Sequence, residues 1–102
     1  MFDWDHGNIE HIAKHEITPA EAEQVILNDP FDLKFEVQGG EERVTQIGET
    51  DTGRILIVVT TMRDDQVRVV TAFPANRKLR KLYLTQKETS HERGTEEEDL
   101  QE

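Results

Sequence analysis

Three histidines lie close together near the start of the chain, at His6, His11 and His15. Residues four apart share one face of a helix, so His11 and His15 form a pair that can chelate zinc or another divalent metal. No third ligand follows at the spacing of a metal motif, and no HExxH pattern occurs. The pattern therefore favours surface or partner-contacting histidines and no metal site, with a small metal-responsive protein as the weaker alternative.

Basic side chains form a second group that could bind a ligand. The stretch from residue 77 to residue 87 carries five cations without an intervening acid: Arg77, Lys78, Arg80, Lys81 and Lys87. Arg43, Arg63 and Arg68 fall on predicted strands and could join them around a concave surface that binds phosphate groups. The same pattern is equally compatible with an ordinary solvated surface, or with closure on the chain's own acidic end.

Histidine, glutamate and arginine are the residue types that cleave RNA without a metal ion. A base takes the proton of the 2′-hydroxyl, an acid protonates the leaving oxygen, and a cation stabilises the phosphate. The chain has no cysteine and none of the GxxxxGKS, GxGxxG or GxSxG motifs. These features exclude disulfides and thiolate chemistry and argue against nucleotide-dependent reactions, and we expect no cofactor.

Charge is distributed unevenly along the sequence. The 22 acidic and 12 basic residues give a net charge of -10, which argues against a general nucleic-acid coat protein or a polybasic membrane binder. Residues 88–102 hold seven acidic residues, Arg93, and only one large aliphatic residue, Leu100. We expect residues 1–87 to form a single domain and residues 88–102 to form an acidic, flexible tail.

The length of 102 residues fits one domain, and the 34% hydrophobic content predicts a thin core that a homodimer or another partner would stabilise. The first residues lack the basic and apolar regions of a secretory signal. No apolar run approaches the roughly 18 residues of a membrane span. We therefore expect a cytoplasmic protein without a membrane partner.

Two helices are predicted before residue 30. Asp5 or Asn8 can cap a first helix that continues to His15. Thr18-Pro-Ala-Glu21 combines a capping box with proline at the first helical position, which is typical of the start of a second helix. Asn28-Asp-Pro30 ends that helix, because proline has no amide hydrogen and restricts the residue before it.

An antiparallel sheet and a closing helix are predicted after these helices. Alternating apolar residues from Phe31 to Val37 indicate a half-buried strand, and three more strands are predicted over residues 42–48, 54–62 and 67–73. Residues 75–86 form a last helix, with Leu79, Leu82 and Tyr83 facing the sheet. The sequence thus predicts an α+β fold with a four-stranded meander, to which residues 1–4 add a short edge strand.

Short strings of residues follow one another along the sequence in an order that is more specific than any one of them. They are Phe2-Asp-Trp-Asp5 with Asn8, Lys14-His15, Ile17-Thr-Pro-Ala-Glu-Ala22, Asp29-Pro30, Glu42-Arg43 with Ile47-Gly48, Arg54-Ile-Leu-Ile-Val-Val-Thr-Thr-Met-Arg63, Val67-Arg-Val-Val-Thr-Ala72, and Ala75, Arg77, Arg80 and Tyr83. This order resembles the BrnT toxins of bacterial type II toxin-antitoxin systems.

The resemblance implies a RelE-like fold, a ribonuclease activity that inhibits translation, and neutralisation by a small ribbon-helix-helix antitoxin. It also implies that RNA is contacted or cleaved at the matching positions. The candidates for catalysis are Lys14, His15, Glu42, Arg43 and Arg63, with His15 as an acid-base group and the arginines as phosphate ligands. The candidates for RNA binding are Arg68, Arg77, Lys78, Arg80 and Lys81.

Three positions depart from the pattern of this family. Phe73 stands where the family commonly has arginine, Leu79 where it has an acidic residue, and Glu16 where it has glycine. A lost donor removes about 2–4 kcal/mol of electrostatic stabilisation when it is well placed. Two hypotheses follow: a metal-independent endoribonuclease toxin, or a catalytically weakened or silent protein that keeps the toxin fold as a protein-binding module.

Overall fold

A four-stranded antiparallel sheet is flanked by two short helices from the start of the chain and one long helix from its end. The computed structural model describes the backbone of residues 1–101 and the side chains of residues 1–89. The elements are α1 (His6–Ala13), α2 (Pro19–Leu27), β1 (Phe31–Gln38), β2 (Glu41–Glu49), β3 (Ile55–Arg63), β4 (Gln66–Pro74) and α3 (Arg77–Gln101). The predicted α+β layout is confirmed; the RelE-like label stays a prediction.

Reciprocal caps start both short helices. The Asp5 carboxylate accepts a hydrogen bond from the amide of Asn8 at 3.1 Å, and the Asn8 side chain accepts one from the amide of Asp5 at 2.8 Å. Thr18 and Glu21 form the same kind of box at the start of α2, with Pro19 at the first helical position. Each box satisfies amide groups that a helix start leaves without partners.

The end of α1 is closed by a left-handed residue. Glu16 has a φ of 61°. The amide of Ile17 donates to the carbonyl of Ile12 at 3.2 Å, and the amide of Glu16 donates to that of Ala13 at 3.0 Å. These bonds and the burial of Ile12 and Ile17 in one apolar cluster make a Schellman cap, which usually has glycine at its left-handed position.

The strands pair in chain order, β1-β2-β3-β4, as an antiparallel meander. The N-terminal edge strand is reduced to a single parallel bridge between Phe2 and Val67 on the outer side of β4. Its two hydrogen bonds, from the Asp3 amide to the Val67 carbonyl and from the Val67 amide to the Met1 carbonyl, are both 2.8 Å long.

Each face of the sheet carries its own apolar cluster, because neighbouring residues of a strand point to opposite faces. Leu56 and Val58 of β3 pack with residues of α1 and α2, and Trp4 lies against this cluster. Ile57, between them, packs on the other face with Tyr83 of α3. The core is therefore two thin layers, one under the short helices and one under α3.

The prediction that the apolar residues of β1 share one buried face is wrong. A register shift between Asp32 and Lys34 places Phe31 opposite Ile47 and Phe35 opposite Val44. Ile47 and Val44 are three residues apart and thus on opposite faces. Phe31 joins the cluster under α3, whereas Phe35 is 62% exposed.

Helix α3 also differs from its prediction. It continues to Gln101, beyond the expected end at residue 86, and Leu82 is exposed instead of facing the sheet. Leu79 and Tyr83 pack against the sheet as expected. Most side chains of the acidic tail predicted over residues 88–102 lie outside the described residues. The flexibility of this tail therefore stays a prediction.

Candidate functional site

An open cleft of 490 Å³ lies between α1 and the facing ends of β2, β3 and β4. Its lining includes three arginines and one histidine that come from four elements: Arg43, Arg63, Arg68 and His11. Gly7, Asn8, Glu41 and Thr61 line it too. The sheet thus gathers the three strand arginines that the sequence analysis singled out.

Strand alternation decides which residues of β2 reach the cleft. Glu41 and Arg43 line it, and Glu42 between them does not, because consecutive side chains of a strand point to opposite faces. The backbone of Glu42 is nevertheless held in place, since the buried Thr61 hydroxyl donates to its carbonyl at 2.7 Å. The carboxylate available to a ligand in the cleft is therefore that of Glu41.

Each cleft arginine lies near a carboxylate. Nε of Arg43 donates to Glu41 at 2.9 Å, and Nε of Arg63 lies 3.9 Å from Asp3. Arg43 is partly buried, whereas Arg63 is exposed. An anion that enters the cleft therefore competes with the protein's own carboxylates for these cations.

Arg68 is held by two carboxylates at the start of α1. Its Nη1 atom lies 2.9 Å from Asp5 and 3.5 Å from Asp3, and its Nη2 atom donates to Asp5 at 3.3 Å. The hydrogen bond from Arg68, with the one from the Asn8 amide, lowers the pKa of Asp5; the same bond to Asp5 raises the pKa of Arg68. Arg68 therefore ties β4 to the cap of α1 and has little freedom to move.

Asn8 is the buried polar residue that fixes this corner. It is 4% exposed, and its side-chain amide donates to the carbonyls of Asp3 and Val69 at 3.0 and 3.2 Å. A buried amide satisfied on both sides has one preferred position. Asn8 therefore sets the distance between α1, which carries His11, and β4, which carries Arg68.

His11 of α1 and His15, which follows the helix, have different surroundings. His11 lines the cleft; His15 does not, and its ring centroid lies 6.4 Å from that of His11 and 6.1 Å from that of Phe73. Lys14 is exposed and also lies outside the cleft lining. Among the candidates for catalysis, the structure thus brings Arg43 and Arg63 together and leaves Lys14, His15 and Glu42 beside the cleft.

Two of the three positions that depart from the family pattern belong to the apolar cluster under α3. Phe73 and Leu79 both pack there with Ile57 and Tyr83. The ring centroid of Phe73 lies 6.1 Å from that of His15, so this cluster reaches the histidine. Neither Phe73 nor Leu79 lines the cleft.

The cations of α3 lie apart from the cleft. Arg77, Lys78, Arg80 and Lys81 are exposed, and none has a carboxylate within 4.0 Å among the described side chains. None of them lines the cleft. They form a separate surface, which we call the α3 basic surface.

Lys87, the last cation of that stretch, has a structural partner instead. It pairs with Glu49, to which the Tyr83 hydroxyl also donates at 3.2 Å. The hydrogen bond from Lys87 lowers the pKa of Glu49 against the opposing effect of burial. Burial and the nearby Glu49 carboxylate raise the pKa of Tyr83 to about 12. This network joins α3 to β2.

The histidines do not converge on a metal site. His6 pairs with Glu10 at 2.9 Å, away from the cleft. Within the described part of the chain, no group of three histidine, aspartate or glutamate side chains is arranged to hold a metal ion.

The fold and the cleft define a small α+β protein that presents arginine and histidine at one end of a meander sheet. The family model of the ribonuclease toxin BrnT of type II toxin-antitoxin systems matches residues 4–78. The chain belongs to this toxin family, which confirms the resemblance. Membership implies an antitoxin partner and RNA as the target.

Two further findings complete the comparison. A search among curated proteins found no match. Within the part of the chain that the structure describes, no helix combines the length and the apolar character needed to cross a membrane.

Sequence reasoning found the arginines of the cleft but not its carboxylate or its histidine. The family string contains Glu42, and only the strand register decides that its neighbour Glu41 lines the cleft. The histidine pattern predicts a surface or partner contact for His11, with metal binding as the weaker alternative. The signal that could have found it is its position four residues before His15, at a spacing that the sequence pattern places on one helix face.

Proposed function

We propose that this chain is a toxin that cleaves RNA without a metal ion and thereby inhibits translation. What supports the proposal most is the convergence of three arginines and a histidine from four elements on one open cleft. A ribonuclease that uses the 2′-hydroxyl of its substrate needs cations to bind the phosphate and groups that transfer protons, and it needs no cofactor. Family membership points to the same chemistry.

The arginines bind the scissile phosphate in this mechanism. Arg43 and Arg63 exchange the carboxylates of Glu41 and Asp3 for phosphate oxygens, to which a guanidinium can donate two parallel hydrogen bonds. Arg68 stays with Asp5 and acts as a positioning residue. Negative charge that develops on the phosphate is stabilised by cations already in place.

The proton transfers need one base and one acid. A base removes the 2′-hydroxyl proton, the oxygen attacks phosphorus, and the bond to the 5′-oxygen breaks as an acid protonates it. The products are a 2′,3′-cyclic phosphate and a 5′-hydroxyl. His11 and Glu41 are the groups of the cleft that can exchange these protons, and His15 and Glu42 remain candidates at its margin.

Growth and RNA integrity in bacterial cells test the proposal. We expect the intact chain to arrest growth with cleavage of total RNA, and Arg43→Ala to abolish both at equal soluble expression. His11→Ala and His15→Ala, made separately, show which histidine is needed. His6→Ala is the matched control, because His6 pairs with Glu10 outside the cleft, and it should leave toxicity unchanged.

One observation favours a second candidate, a binding module without catalysis. All three cleft arginines lie within 4.0 Å of carboxylates of the same chain, and Phe73 and Leu79 fill their positions with apolar packing. A module of this kind would still bind an antitoxin, for which we propose the ribbon-helix-helix class. Normal growth and intact RNA on expression of the soluble chain would favour it over the enzyme.

A further inference from the structure

The two edge strands of the sheet, β1 and β4, have different neighbours. The outer side of β4 is covered by the first residues of the chain, which form backbone hydrogen bonds to Val67. The outer side of β1 has no neighbouring strand among the described residues. An open edge strand eight residues long presents unpaired amide and carbonyl groups, which readily pair with another strand.

The side chains of β1 make this edge apolar on one face and charged on the other. Phe35 and Val37 are 62% and 59% exposed. They alternate with Lys34 and Glu36, which form an ion pair at 3.3 Å within the strand. Natural edge strands usually protect themselves with charge or proline, and the exposed apolar face of β1 lacks that protection.

We propose that β1 pairs antiparallel with β1 of a second copy of this chain, around a two-fold axis at Phe35. In that register Phe35 meets its own counterpart on the apolar face. On the other face, Lys34 of each copy meets Glu36 of the other, which gives two ion pairs between chains. The result is one continuous sheet of eight strands, which leaves β4 and its cleft residues at the outer edges.

Charge complementarity selects this register. Axes at Lys34 or at Glu36 would place like charges opposite each other, which destabilises a strand pair. An axis between two residues would pair side chains from opposite faces, which the pleat does not allow. An axis at Val37 would place Phe35 opposite Gly39 of the β1–β2 turn, where it has no apolar partner. An axis at Leu33 would also pair opposite charges, Asp32 with Lys34, but it falls on the register shift of β1, where the strand is not regular.

The same symmetry favours a second copy over an unrelated strand. Along β1 a basic residue, Lys34, and an acidic residue, Glu36, lie on either side of Phe35. In a second strand that runs in the opposite direction, the acidic residue lies opposite the basic one and the basic residue opposite the acidic one. An isologous contact requires this self-complementary pattern. When a residue of one copy contacts a second residue of the other copy, the second residue of the first copy contacts the first residue of the other. A foreign strand would need a matching sequence of its own.

Sedimentation equilibrium of the full chain over a range of concentrations tests the proposal. We expect a reversible dimer whose dissociation constant rises at least tenfold with Glu36→Lys and with Lys34→Glu, since either change puts like charges opposite each other. The double variant Lys34→Glu with Glu36→Lys restores opposite charges across the axis and should dimerise again. Circular dichroism checks that each variant is folded.

Cross-linking tests the register independently, because the chain has no cysteine of its own. Phe35→Cys places two thiols opposite each other and should form a disulfide-linked dimer on oxidation. In Val37→Cys the thiols lie about 13 Å apart along the strands and should not cross-link. A chain that is monomeric throughout, a dimer indifferent to the charge reversals, or equal cross-linking of both cysteines would overturn the proposal.

Discussion

Replacing Glu16 with glycine should stabilise the protein through the backbone of the α1 cap. Glu16 has a φ of 61°, where a residue with a β-carbon is disfavoured by about 1–2 kcal/mol. Glycine recovers that energy but loses roughly 0.5–1 kcal/mol through its greater freedom in the unfolded chain. The net effect is a gain of about 0.5–1 kcal/mol, or about 3–6 °C in Tm.

The contacts of Glu16 make this estimate specific to the backbone. Its carbonyl accepts a hydrogen bond from Arg54 at 2.8 Å, which glycine preserves. Its side chain is exposed, and no ion pair or hydrogen bond involves its carboxylate among the described residues. Glu16→Ala is therefore the matched control, because it removes the same charge and keeps the β-carbon.

Urea denaturation of the three proteins measures the effect. We expect Glu16→Gly to have the highest midpoint with an unchanged slope, and Glu16→Ala to remain within about 0.5 kcal/mol of the original chain. If both variants have the same free energy of unfolding, the cap is not strained and the reasoning from φ is refuted.

Three further predictions concern titration and charge. Tyr83 is the only tyrosine, so absorbance at 295 nm should show its phenolate forming near pH 12 in the folded protein; a midpoint near 10 before unfolding would contradict its burial beside a carboxylate. Because the hydrogen bond from Lys87 lowers the pKa of Glu49, the stability from this pair is present above about pH 4.5 and is lost as the pH falls through the folded pKa. Urea titrations at several pH values should show that loss, and a variant Lys87→Met with the same pH dependence would refute it. Glu41→Gln frees the cleft arginine beside it and should tighten binding of a short RNA by about twofold to fivefold in fluorescence anisotropy; the control Glu42→Gln removes an equal charge outside the cleft, and an equal effect of both would show that only net charge matters.

Local signals predicted the starts of the two short helices well. Thr18, Pro19 and Glu21 specify the start of α2 by hydrogen bonds between neighbours in the chain, so a sequence pattern contains all the information needed. The start of α1 is similar, because Asp5 and Asn8 cap each other. Each of these bonds spans three residues and depends little on the rest of the fold.

The faces of the strands were harder to predict. Alternation from Phe31 to Val37 predicted one apolar face, but a single register shift after Asp32 turns Phe35 and Val37 to the other face. Such a shift arises from packing between strands and leaves no clear sign in the alternation itself. The same limit applies to β2, where the family string contains Glu42 but the structure places Glu41 in the cleft.

Cleavage of a defined RNA by the purified chain in excess EDTA is the most direct test of a metal-independent ribonuclease. We predict products with 2′,3′-cyclic phosphate ends, and no cleavage where a 2′-deoxy nucleotide replaces the one before the scissile bond. Arg43→Ala purified in parallel should be inactive, which excludes a contaminating nuclease. Intact RNA with the folded original chain, or cleavage that requires added metal or survives the 2′-deoxy substitution, would contradict the account.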